Sequence, residues 1–147
     1  MQADQEPINL SSWQRDDVMT AALKENHIAV VGLSPNPLRD SNMVARYMLE
    51  AGYAVYPVNP KEEEILGLTC YANLAELPHP VGIVNVFRDA SAVPKISEHT
   101  VQIGAPYMWL QLGVVSQTGI NIAQNGGVQC IVDKCIKVEH ARLKALI

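Results

Sequence analysis

The sequence is poor in cysteine, and the three it has are badly placed for a scaffold. Cys70, Cys130 and Cys135 form an odd set without CxxC spacing, which argues against a disulfide framework and against a closed zinc site. A reducing cytoplasm is the simple reading. No uncharged apolar stretch approaches the roughly 18 residues that would span a bilayer, so no membrane partner is expected. The start, Met1-Gln2-Ala3-Asp4-Gln5-Glu6-Pro7, has neither the basic opening nor the apolar run of a secretory signal. An excess of basic residues is missing as well: 11 Lys and Arg face 15 Asp and Glu, a formal net charge of −4. A diffuse surface for polyanions is therefore not expected, nor is DNA or RNA as the main partner. Part of the excess acid is local, because residues 1–26 hold two basic and five acidic groups. The rest of the chain is almost neutral, so any anion site in it must be small and deliberately built.

What is present is a chain of 147 residues, 48% hydrophobic and 18% charged. That length suits one domain over 1–147, burying about 68–70% of the surface exposed by the unfolded chain. Short apolar runs alternate with longer amphipathic stretches. Residues 28–33 form a continuous apolar run around Gly32, the pattern of a strand buried on both faces. Further strands are expected at 53–58, 81–87, 107–110 and 128–132. Between them, Ser41 is expected to cap a helix closed by Gly52, a second helix to run from about Ser91 to Ile103, and Ser116 to cap a third ending near Gly126. A last helix is expected from about Ile136 to Leu146, with Arg142 and Lys144 near its negative end. A helix over about 12–25, preceded by Ser12, is expected to cover one flank. Five such alternations predict an α/β protein with a doubly wound, five-stranded parallel sheet and helices on both faces. In these sheets, ligands bind beyond the carboxyl ends of the strands, where the strand order reverses.

The candidate site residues are therefore those following each strand. The first such loop, Gly32-Leu33-Ser34-Pro35-Asn36-Pro37-Leu38-Arg39-Asp40-Ser41, lacks the G-x-G-x-x-G dinucleotide fingerprint and the lysine of a P-loop. Its position still suits an anion, since a glycine leaves the strand and a helix N-terminus follows. Ser34 can donate through its hydroxyl and Arg39 can fork onto a phosphate. A rigid proline-punctuated turn with an exposed arginine reads equally well. At the second strand end, Asn59-Pro60-Lys61 offers no carboxylate at its tip. Proline gives a flat face for a base, and lysine a point charge that suits an adenosine with an extra ribose phosphate, as in coenzyme A or NADP. Asn59-Pro60 can also simply end the strand. At the third, Phe87-Arg88 offers a cation. At the fourth, Trp109-Leu110-Gln111-Leu112-Gly113 offers a hydrogen-bonding amide and a glycine for close approach, with Trp109 read as core. At the fifth, Glu139 and His140 point apart on a helix and make a poor metal site, and Cys135 and His140, five apart, are off the spacings that favour a nucleophile pair without excluding one. Polar tethering of the last helix is expected instead, with a meeting of Cys135 and a ligand thiol as the alternative. His27, His79 and His99 read as structural or surface residues.

Val30-Val31-Gly32-Leu33-Ser34, Val58-Asn59-Pro60, Val86-Phe87-Arg88, Trp109-Leu110-Gln111-Leu112-Gly113 and Val132-Asp133-Lys134-Cys135 with Glu139-His140 together resemble the small stand-alone CoA-binding domain proteins of bacteria and archaea. These are similar to the CoA-binding domain of the succinyl-CoA synthetase alpha subunit. The resemblance spans about residues 12–146. It implies a Rossmann-like sheet that binds coenzyme A, with Ser34, Pro35, Asn36 and Pro37 around the phosphates, Lys61 near the adenosine end, and Leu110, Gln111 and Leu112 lining the site. It does not carry the synthetase's phosphohistidine role to His140, nor its ligase activity to this chain. The expectation is a protein that binds CoA or an acyl-CoA without catalysis of its own, its protein partner unassigned. The alternatives are an NADP-dependent oxidoreductase and an enzyme that acts on CoA thioesters through Cys135 or His140.

Overall fold

The structure, a computed structural model, describes residues 15–147. The expected capping residue Ser12 lies outside them. The elements run α1 (Asp16–Leu23), β1 (His27–Val31), α2 (Asp40–Glu50), β2 (Ala54–Val58), β3 (Glu64–Ile65), β4 (Leu68–Thr69), β5 (Ile83–Val86), α3 (Val93–Ile103), β6 (Tyr107–Leu110), α4 (Gln117–Asn125), β7 (Gln129–Val132) and α5 (Ile136–Leu143). Five strands form one parallel sheet in the order β2-β1-β5-β6-β7. Counting those strands alone, the order is 2-1-3-4-5, a common doubly wound arrangement whose reversal point lies between β1 and β5. The fold is Rossmann-like.

Alternation along each strand sorts the core into two layers. Ala29, Val84, Met108 and Cys130 pack with Val93, Ile96, Ile120 and Ala123 of α3 and α4. Val30, Trp109 and Ile131 pack on the other face with residues of α1, α2 and α5, including Met19, Met48 and Ile136. Burial on both sides explains why the strands read as unbroken apolar runs. Each large apolar side chain so buried contributes about 1.5–3 kcal/mol. Trp109 is core as expected, and its indole N–H donates to the Lys134 carbonyl at 2.9 Å, which ties β6 to the loop entering α5. One position breaks the apolar row: Asn85, in register with Val30 and Trp109, is 1% exposed.

The helix ends differ from expectation at the start of α2 and at the end of α5. Ser41 does not cap α2; Arg39 occupies that position, with extended backbone and no side-chain cap bond. The Ser41 hydroxyl oxygen instead accepts from the Ser34 amide at 3.0 Å, so it closes the loop before the helix. Ser116 does cap α4, accepting from the Gly119 amide at 3.0 Å, and Gly104 ends α3 with a left-handed φ of 75°. The last helix is shorter than expected, giving way to a 3₁₀ turn at Lys144–Leu146. Arg142, expected at the helix end for its dipole, is held by carboxylates: it contacts Glu139 at 2.6 Å and Asp16 at 2.7 Å and so joins α5 to α1. Among the described residues, no helix is long and apolar enough to cross a membrane.

Candidate functional site

The reversal point opens at Gly32, just beyond β1, and at Phe87-Arg88, just beyond β5. Gly32 has φ +87°, and a Cβ built on it would lie 3.0 Å from both the Phe87 carbonyl oxygen and Arg88 Cδ. Glycine is thus required twice over, by its backbone and by the arginine stem that crosses it. Arg88 is exposed beyond that contact. Its side chain separates two clefts and lines both.

The cleft on the α3 side holds about 580 Å³. Asn59, Pro60 and Lys61 from the end of β2 form one wall, and Lys95 and His99 of α3 another. Lys61, Arg88 and Lys95 face this space, and no carboxylate lines it. In an almost neutral body, three cations around one cleft make a local positive field. Asn59 is fixed for structural work: its amide donates to the Leu33 carbonyl at 3.0 Å and its Oδ1 accepts from the Lys61 amide at 2.9 Å. The loops after β1 and β2 are thereby locked together.

The cleft on the α2–α5 side holds about 550 Å³. Its walls include Met43, Val44, Phe87, Leu112, Val114 and Val138, with Cys135 among them. Leu112 and Val138 are exposed at 65% and 55%, an unusual position for large apolar groups unless something covers them. Charges are mixed here, since Asp40, Asp89 and Lys137 also contribute. Gln111 is 5% exposed. Its Oε1 accepts from the Ile136 amide at 3.0 Å and from Asn85 Nδ2 at 3.3 Å. The amide nitrogen of Gln111 has no protein partner among the described residues and remains available to the cleft that this side chain lines. Asn85 Oδ1, by contrast, is buried without a partner. The loop carrying Cys135 is held by Asp133, a non-glycine residue at φ 60°, whose carboxylate accepts from the Gly113 amide at 2.7 Å.

The first loop runs from one cleft to the other, because it leaves β1 at Gly32 and enters α2 at Asp40. It is braced from within: Ser34 Oγ accepts from the Asn36 amide, Asn42 donates to the Ser34 carbonyl, and Arg46 donates to the Pro37 carbonyl. Accepting that bond leaves the Ser34 hydroxyl hydrogen free to donate.

The expected residues thus fall into four groups. Gly32, Asn59, Pro60, Lys61 and Arg88 share the cationic cleft, and Phe87, Arg88, Gln111 and Leu112 share the apolar one. Ser34, Pro35, Asn36, Pro37 and Arg39 lie on the connecting loop and line neither. Leu110 does not line the site as expected; it is fully buried among residues of α3 and α4, because alternation turns it to that face. The residues missed were Lys95, His99, Met43, Val138 and Asn85. Lys95 and His99 stand four apart, one helical turn, and that spacing was the available signal. Asn85 was visible as the polar residue in an apolar strand. His99 is thus a cleft residue, whereas His27 and His79 stack on each other at 3.9 Å away from both clefts. Cys135 and His140 are not brought together: Cys135 is in the apolar cleft, while His140 bonds the Tyr47 hydroxyl at 2.8 Å and lines a recess with Leu23 and Tyr53. Burial, and then Lys144, hold the His140 pKa below its ordinary value.

Comparison with known proteins gives this geometry a context. The Bacillus subtilis protein YneT is 41% identical over 121 residues, which cover 82% of this chain and 90% of that protein. The ADP-forming acetate–CoA ligase I of Archaeoglobus fulgidus is 25% identical over 119 residues, 74% of this chain but only 17% of the ligase. Among solved structures, a hypothetical protein from Pyrococcus horikoshii matches with a TM-score of 0.86 and 32% identity, over 98% of this chain and 96% of that one. A family model described as a CoA binding domain matches residues 26–141, a span that holds both clefts, and the chain therefore belongs to the CoA-binding domain family.

Proposed function

We propose that this protein binds coenzyme A, free or acylated, along the carboxyl edge of its sheet and does not turn it over. The adenosine 3′-phosphate end occupies the cationic cleft, with Lys61 at the extra phosphate and Pro60 against the base. The pyrophosphate crosses Gly32 beneath Arg88, and the pantetheine arm enters the apolar cleft, where the Gln111 amide nitrogen meets a carbonyl. One observation carries the reading: the two clefts differ in charge as the two halves of this ligand differ, three cations without a carboxylate on one side and, on the other, apolar walls whose acidic and basic groups offset one another, with Arg88 common to both. Membership of the family supports the ligand class. Binding without turnover is supported by the separation of Cys135 from His140, which leaves the thiol of the apolar cleft without that base.

Isothermal calorimetry with CoA, 3′-dephospho-CoA, NADP and NAD tests the proposal. Saturable heat with CoA, weaker with dephospho-CoA, is the expected result. Heat with NADP and none with CoA would overturn it in favour of a nicotinamide site. Native mass spectrometry of the freshly purified protein should also show a retained CoA species.

A further inference from the structure

Of the three cysteines, Cys135 is the one that lines either of the two clefts described above. Cys130 of β7 is fully buried, and desolvation pushes its thiol up to about 12. Cys70 is half-buried, its thiol donates to the Asn59 carbonyl at 3.5 Å, and burial raises its pKa. Cys135 is a free thiol on the wall of the apolar cleft, immediately before α5. A second group in that cleft points independently to a ligand. Gln111 is a deeply buried side chain whose oxygen is committed to Ile136 and Asn85 and whose amide nitrogen is left for the cleft. That nitrogen is a donor open to the cleft, and a group that accepts from it, such as a pantetheine amide carbonyl, would complete its hydrogen bonding. Such a contact would hold the arm, and the thiol at its end, inside the cleft that contains Cys135.

We infer that Cys135 undergoes thiol–disulfide exchange with the oxidised form of this ligand, the symmetrical CoA disulfide, and thereby carries one CoA as a mixed disulfide. The inference rests on the CoA-binding reading above. The Cys135 thiol gives up its proton to solvent and its sulfur attacks one sulfur of the disulfide. A bond forms between Cys135 Sγ and that sulfur, the original S–S bond breaks, and the second CoA leaves as a thiolate that takes up a proton. The disulfide is the oxidant, so no other co-reactant is needed, and excess reduced thiol drives the reverse exchange. Binding holds the reacting sulfurs together, which gives the bound disulfide an advantage over one that the cleft does not hold.

The experiment incubates the full chain with CoA disulfide, and in parallel with glutathione disulfide, following intact mass and mapping the adduct by peptide digestion. One CoA increment per chain, located on Cys135, removed by dithiothreitol and formed about tenfold or more faster than the glutathione adduct, is the expected result. The adduct should persist in Cys70→Ser and vanish in Cys135→Ser. An adduct on Cys70 or Cys130, equal rates with the two disulfides, or no adduct would overturn the inference. Calorimetry with reduced CoA on the same preparation separates the two levels. Heat without modification removes only the exchange, whereas no heat removes the binding reading as well.

Discussion

Arg88 lies over Gly32, its Cδ 3.0 Å and its Cγ 3.2 Å from where a Cβ of residue 32 would stand. The contact fixes the one cation shared by both clefts at the point where the strand order reverses. Gly32→Ala should therefore act twice. The positive φ costs about 1–2 kcal/mol for an L-residue, and the added methyl displaces Arg88. A lower melting temperature and weaker CoA binding by calorimetry are expected together; a variant that loses neither would show that the contact is incidental.

Arg88→Ala should abolish most CoA binding, and Arg88→Lys should restore little of it. A guanidinium can face phosphate through two parallel N–H groups while its stem rests on Gly32, whereas an ammonium offers one point charge. Full recovery by lysine would mean that charge alone matters.

Lys61→Ala tests the 3′-phosphate assignment. Loss of one charge-assisted contact, about 1.5–3 kcal/mol, should weaken CoA about tenfold or more and dephospho-CoA much less. Equal losses for both ligands would remove Lys61 from that phosphate.

Gln111→Leu deprives the Ile136 amide and Asn85 Nδ2 of their acceptor. Buried donors left unpaired cost about 1–3 kcal/mol each, so chemical denaturation should show a clear loss of stability. An unchanged midpoint would mean that water replaces the side-chain oxygen.

His140 makes stability depend on pH. Burial lowers its folded pKa beneath the ordinary 6.5, so the unfolded chain binds the proton more readily. Stability is fully present above 6.5 and is lost as pH falls through the folded value. Melting temperatures measured from about pH 5 to about pH 8 should rise and then level, and His140→Gln should flatten the acid limb. Parallel profiles for the two proteins would exclude this histidine as the source.

Much of the fold was legible because parallel strands covered on both faces leave continuous apolar runs, and all five appear in the sheet. The small β3–β4 hairpin was not legible. Its turn uses Leu66 at φ 58° before Gly67, and leucine gives none of the signal that asparagine or aspartate gives in that place. Ser41 misled for a related reason: its hydroxyl answers a loop amide seven residues back, a tertiary demand that no local pattern announces. At the site, the sequence revealed which loops would matter but not which side chains would face inward. Leu110 and Gln111 are adjacent, yet one enters the core and the other reaches a cleft. Lys95 and His99 come from a helix flank rather than a strand end, and the rule that points to strand ends passes over them.

The position of Arg88 on both walls has a thermodynamic corollary. One guanidinium cannot adopt independent orientations toward two cavities, so occupancy of either changes what the other offers. Fragments that fill a single side, an adenosine bisphosphate or pantetheine alone, would not bind with free energies that sum to that of the intact molecule. The shortfall or excess would measure how strongly this arginine makes the two halves of the edge behave as one.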